Sequence, residues 1–199
     1  MYVFESGGLA GWLGIVSAVL AAIAFVPYVA DTIVGRTRPQ RSSWMIWTVL
    51  SVVSFFSQAY EGATDSLMFA GVMTAGSLTI FLLSIRRGVG GFAHRQDAWL
   101  LAAAALGLVL WYTTETAVYA LALAISISLL GGVMTVTKTY RDPYSETMPK
   151  WLLSLLAAVL AAFSVGEVNY VLLAYPVYLV VLNIAIIAAT LAGRERRMA

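Results

Sequence analysis

Seven apolar runs follow one another along the chain, separated by short polar gaps. Each approaches the length of about twenty residues that a helix needs to cross a bilayer. The pattern predicts spans at Leu9–Val34, Ser43–Tyr60, Ser66–Ile85, Ala98–Tyr112, Ala117–Thr139, Lys150–Val165 and Tyr170–Ala192. Lipid offers backbone N–H and C=O groups no partner, and the short connections between strongly apolar runs give no barrel signature, so all seven read as helices. Span four is the shortest and plainest. Its stretch from Leu100 to Leu110 carries no polar side chain, which suits a connecting helix better than one that bears a site.

The gaps alternate in sign. Arg36, Arg38 and Arg41 fill the first, Arg86, Arg87 and Arg95 the third, Lys138, Arg141 and Lys150 the fifth, and Arg194, Arg196 and Arg197 the tail. The segments between them carry only acids: Glu5, then Glu61 and Asp65, then Glu115, then Glu167. Cationic segments stay cytoplasmic during insertion, which puts the N-terminus outside and the C-terminus inside a plasma (cytoplasmic) membrane crossed several times. The two sides then carry +7 inside and −5 outside, a division hidden by the net charge of +2.

Composition narrows the class. With 61% hydrophobic and 11% charged residues and a mean hydropathy of +0.86, the chain cannot cover a water-facing surface. The pI near 9.0 therefore reports topology and contact with anionic lipid, not nucleic acid. The N-terminal MYVFESGG lacks a positive n-region, so the first span is expected to be retained. There is no cysteine, hence no disulfide framework, thiolate nucleophile or thiolate metal site. The single histidine, His94, falls in a basic loop, so no bis-His haem or membrane metal centre can be built, and no cofactor is expected. Span seven has no lysine for a retinal Schiff base. No Ser-His or Cys-His pair lies within the spans, so the chain does not read as an enzyme.

The chain also repeats weakly at an offset of about 104 residues. Pro39 matches Pro143, Trp47 matches Trp151, Gly62 matches Gly166, Ala70 matches Ala174, and Leu78 and Ile80 match Leu182 and Ile184. Spans one to three map onto spans five to seven, and the odd linker gives both triplets one orientation, about an axis along the membrane normal. The predicted organisation is all-α: a first three-helix bundle over residues 1–97, a linker helix over 98–112 and a second, parallel bundle over 113–199.

A 3+1+3 chain of 199 residues, N-terminus outside, with a proline near the inner end of span one and a basic loop after it, resembles the SWEET and PQ-loop superfamily of small-solute transporters. Phe25-Val26-Pro27-Tyr28-Val29-Ala30-Asp31 is similar to that family's first-helix element, with Pro27-Tyr28 standing where Pro-Gln would. Met148-Pro149 resembles the proline that opens its sixth helix. The resemblance implies alternating access with Pro27, Tyr28 and Pro149 as hinge or gating residues. The pattern departs at Gly131, where a second-half proline would match Pro27, at Met45, where a proline would match Pro149, and at Val177, where an asparagine would follow the proline of the seventh helix. Trp44-x-x-Trp47 is similar to a pair in PnuC-type nicotinamide-riboside transporters, in which it serves ligand recognition. Trp44, Trp47 and Trp151 read either as an aromatic site or as an interface belt beside Arg41 and Lys150.

No ionisable residue falls near a span centre, so downhill facilitation of an uncharged solute is expected rather than proton coupling. The candidate substrate contacts are therefore neutral and polar. Asn183 leads, since a carboxamide in mid-span can both donate and accept; an interhelical hydrogen bond is the competing reading. Thr74, Ser77 and Thr79 form a hydroxyl stripe on span three, with Thr79 matching Asn183 by the repeat. Gln58 lies in outer span two, near where sugar-transporting relatives stack a Trp on substrate, and Tyr178 combines a ring with a hydroxyl. The reading is a transporter of a small neutral polar solute, sugar-, nucleoside- or amino-acid-like. Its partners are the bilayer and that small-molecule solute, with a homo-oligomer left open. The alternatives are a non-transport scaffold or accessory subunit of a membrane complex, and a PnuC-like vitamin or nucleoside uptake protein.

Overall fold

A computed structural model describes residues 8–63, 66–90, 117–166 and 168–198, with 109 and 113 besides. Apart from Val109, the predicted linker helix lies outside the described residues, as do Glu5, Asp65, Arg95, His94, Glu115 and Glu167. Six helices are described: α1 (Leu9–Ile33), α2 (Arg41–Tyr60), α3 (Leu67–Arg87), α4 (Ala117–Arg141), α5 (Met148–Ser164) and α6 (Tyr170–Met198). They occupy spans one, two, three, five, six and seven. The only β pairing among the described residues is a single bridge between Gln40 and Val89.

By length and composition, α1, α3 and α6 are long and apolar enough to cross a membrane, and α5 is a shorter apolar helix. Their faces are arranged as lipid requires. The exposed side of α1 is Leu9, Trp12, Val16, Val19, Ile23 and Val26, while the buried side is Gly11, Gly14, Ser17, Ala18, Ala21 and Ala24 together with Phe25 and Tyr28. A helix facing water carries the opposite pattern. Small residues at helix contacts let backbones approach, which is how helices associate when the surroundings are as apolar as their side chains.

The helices pack in a closed ring, α1–α3–α2–α4–α6–α5 and back to α1. Consecutive helices α1 and α2 are separated by α3, and α4 and α5 by α6. One end of the ring gathers the C-termini of α1, α3, α4 and α6 and the N-termini of α2 and α5. Arg41 Nε donates to Ser84 O at 2.8 Å, Arg38 N to Ser145 O at 3.4 Å and Arg197 to Arg141 O at 2.7 Å. All the described cations fall at this end, from Arg36 to Arg197.

Exchanging α1, α2 and α3 with α4, α5 and α6 leaves the neighbour order of the ring unchanged. Individual bonds follow the exchange. Thr147 Oγ1 donates to Asp31 Oδ2 at 2.9 Å, and Thr135 Oγ1 donates to Ser43 Oγ at 3.0 Å. Thr147 stands 104 residues after Ser43, and Thr135 104 after Asp31. Trp47 and Trp151, matched by the same offset, meet with ring centroids 6.1 Å apart. Gly62 and Gly166, which follow α2 and α5, both adopt positive φ (78° and 74°), the left-handed conformation that ends a helix most cheaply with glycine.

The register of the third helices differs from the sequence reading. Buried Phe69, Met73, Ser77, Ile80 and Ser84 of α3 correspond in spacing to buried Tyr175, Leu179, Asn183, Ile186 and Thr190 of α6, an offset of 106 rather than 104. Ser77, not Thr79, is thereby the counterpart of Asn183. The end of span seven also moves. α6 continues past Ala192 through Arg194, Glu195, Arg196 and Arg197, because Gly193 packs against the Tyr140 backbone and Arg197 bonds the end of α4. Pro176 lies inside α6.

Candidate functional site

At the centre of the ring lies a narrow cavity of about 20 Å³, room for roughly one water. Trp44, Trp47 and Leu50 reach it from α2, Met73 and Ser77 from α3, Lys150 and Trp151 from α5, and Tyr175, Tyr178, Leu179, Leu182 and Asn183 from α6. Of the sequence candidates, Ser77, Tyr178, Asn183 and the three tryptophans are brought together here.

The tryptophans form one aromatic cluster with Tyr28. Trp44 and Trp47 meet edge to face with centroids 5.2 Å apart, and Trp44 faces Trp151 at 6.4 Å with planes tilted by 33°. Trp44 Nε1 donates to the Tyr28 hydroxyl at 3.2 Å. All four rings are buried, whereas a belt at the headgroup level would face lipid and water. Tyr28 is thus a wall of the aromatic cluster one residue beyond Pro27, which is itself half-buried inside α1. Pro149 stands at the first positions of α5, where a missing N–H costs nothing.

At the cavity Asn183 Oδ1 is buried without a partner among the described residues, while Trp47 Nε1 and the Ser128 hydroxyl face the Tyr178 hydroxyl without well-formed hydrogen bonds. Asn183 Nδ2 donates back to Leu179 O at 2.6 Å within its own helix, so the anticipated interhelical bond is not what holds it. Leaving such atoms buried and unpaired costs about 1–3 kcal/mol each. Three candidates lie elsewhere. Thr74 Oγ1 sits between Ser51 O and Ala70 O, 2.9 Å from each, and ties α3 to α2. Thr79 is exposed and bonds Ala75 O on its own helix. Gln58 is satisfied by Ser54 and Ser66 near the outer end of α2.

Lys150 changes the electrostatics expected of the site. Read from sequence as a boundary residue of span six, it is 3% exposed and lines the cavity. Its Nζ lies 3.7 Å from the centroid of the Trp151 ring, 5.3 Å from Trp44 and 5.6 Å from Phe25. The buried face of α5 runs Lys150, Trp151, Ser154, Ala157, Ala158, Ala161 and Ser164, a helical stripe of otherwise small residues. That spacing was the available signal that Lys150 points inward.

Side-chain contacts flank the cavity on both sides. On the outer side the Phe69 and Tyr175 rings meet across the ring at 6.5 Å. On the basic side Glu146 is clamped, its Oε1 2.6 Å from Lys138 Nζ and its Oε2 accepting from Trp151 Nε1 at 3.1 Å, while Lys138 also donates to Arg38 O. Beside it Thr37 and Thr147 hydroxyls are 2.6 Å apart, and since Thr147 donates to Asp31, Thr37 is the donor between them. These bonds join α1 and its following loop to the α4–α5 segment. Among the described residues no group of histidine, cysteine, aspartate and glutamate could hold a metal ion. Comparison with protein-family models, with curated proteins and with solved structures gives no match.

Proposed function

We propose that the chain is a plasma-membrane transporter of a small polar solute, seven spans in two parallel three-helix bundles joined by a linker helix, with the N-terminus outside. The central cavity is its solute site, and the two bundles expose it alternately to each side. One observation carries the reading: the unpartnered Asn183 Oδ1 and the loosely paired Trp47 and Tyr178 converge on a narrow cavity lined by helices of both halves. A scaffold gains nothing from unpaired buried polar atoms, and a solute that pairs them recovers their cost. The layer of Thr37, Thr147, Asp31, Lys138 and Glu146 is the inner gate, polar enough to re-form in water when it opens.

Thermal stability of the purified protein across a metabolite panel tests this. A ligand at one hundred times its dissociation constant adds about 2.7 kcal/mol to the folded state, a shift readily seen in melting. The solute that stabilises should also accumulate in proteoliposomes holding the protein. A panel without a stabilising solute, or a bound solute that never crosses, would favour a non-transport subunit.

A further inference from the structure

The charges around the cavity do not balance. Glu146 is held by Lys138 and by Trp151 Nε1, and it lies too far from Lys150 for an ion pair, although its charge acts on it. Asp31 accepts from Thr147 and faces Arg36 at 4.0 Å. Lys150 therefore has no ion pair and no acceptor for its ammonium protons among the described residues, although it is buried as deeply as the tryptophans around it. Aromatic faces offset part of its desolvation. Taking an ammonium out of water costs several kcal/mol, and ring faces leave its three N–H donors without the oxygen they need.

The other polar groups complete a recognisable set. Lys150, Trp47 and Tyr178 bring N–H and O–H donors to one cavity, the last two only loosely engaged with each other, and Asn183 Oδ1 is an unpartnered acceptor on it. Three donors, one of them cationic, fit the oxygens of an anionic group, and the lone acceptor fits a hydroxyl or N–H elsewhere on the same molecule. The remaining lining, Trp44, Trp151, Leu50, Met73, Leu179 and Leu182, is apolar or planar.

Resting on the transporter reading, we infer that the solute is an organic acid with an apolar or planar body and a hydrogen-bond donor, its anionic group held by Lys150. This replaces the neutral solute anticipated from sequence. A neutral sugar would leave the buried cation unmatched; a monoanion cancels it, and the solute crosses the bilayer interior as part of a neutral pair.

Matched probes test the inference with the purified full chain. 4-Hydroxybenzoate is compared with 4-hydroxybenzamide, and indole-3-acetate with indole-3-acetamide, by melting and equilibrium binding; phenyl phosphate against phenol separates phosphate from carboxylate recognition. At least one anion should stabilise the protein and its neutral partner should bind at least tenfold more weakly. Lys150→Gln should weaken the acid by tenfold or more while leaving the neutral partner unchanged, and Lys150→Arg should restore part of the difference. The anion-against-amide comparison on the unsubstituted protein stands even where Lys150→Gln does not fold. Equal binding of acid and amide, no stabilisation by any acid, or undiminished acid binding by folded Lys150→Gln would each overturn the inference. Proteoliposome uptake separates it from the reading beneath it. Lys150-dependent binding without uptake removes the transporter and keeps the anion site, whereas uptake of a neutral solute indifferent to Lys150 does the reverse.

Discussion

Asn183 shows how far one residue's role follows from its type. A carboxamide in mid-helix has to find partners, and the structure gives it one, Leu179 O, leaving Oδ1 buried without any. Asn183→Leu should therefore cost the unliganded protein little, since no interhelical bond is lost, while weakening a solute that pairs Oδ1 by about 1–3 kcal/mol. Denaturation and binding measured on the same preparation separate the two effects, and large loss of apo stability would make Asn183 structural. The sequence marked Asn183, Ser77 and Tyr178 because isolated polar groups in apolar runs are conspicuous. Lys150 was missed because a cation at the end of a span is read as reaching for water, although its place on the stripe of small residues in α5 was the signal that it turns inward. Thr79 was misjudged for the opposite reason: a hydroxyl that bonds its own helix carries no mark of which way it faces.

At the scale of helices, the six described helices were legible because hydropathy and length decide them, and α1 begins at Leu9 as expected; three of them, α1, α3 and α6, are long and apolar enough to cross a membrane. The order around the ring was not legible, since apolar surfaces on all sides do not say which neighbour each will meet. Glycine contacts decide it locally. A Cβ on Gly76 would lie 2.2 Å from the Phe25 ring, so α1 and α3 fit only with the hydrogen there, and Phe25 is one wall around Lys150. Gly76→Ala should destabilise the protein by about 1–3 kcal/mol, and Phe25→Leu should recover part of that in the double variant. Gly193→Ala should cost at least as much, because its Cβ would meet the Tyr140 backbone at 2.6 Å, which cannot swing aside as a ring can. Thermal melting of the three variants is the check; equal stability of Gly76→Ala and the unsubstituted chain would contradict the close α1–α3 contact.

For the whole molecule, the division of charge in the sequence predicts an orientation, and the ring gathers all the described cations at one end. The weak repeat showed in the common order of proline, tryptophan and glycine, but the two-residue change of register between α3 and α6 could be found only from which side chains are buried. The central claim is that the cavity on the exchange line opens to each side in turn, through a gate that includes Thr37 and Thr147. The chain has no cysteine, so a single Ser77→Cys reports on the cavity through a membrane-impermeant thiol reagent applied to right-side-out or inside-out vesicles. Exposed Glu61→Cys and Tyr144→Cys calibrate the outer and inner faces. Ser77→Cys should label from both sides. With Thr37→Cys and Thr147→Cys first joined by a disulfide, labelling from the inner face should stop while labelling from the outer face persists. A Ser77→Cys that labels from neither side, or whose inner labelling ignores the disulfide, would contradict the account and leave the cavity as the static core of a bundle.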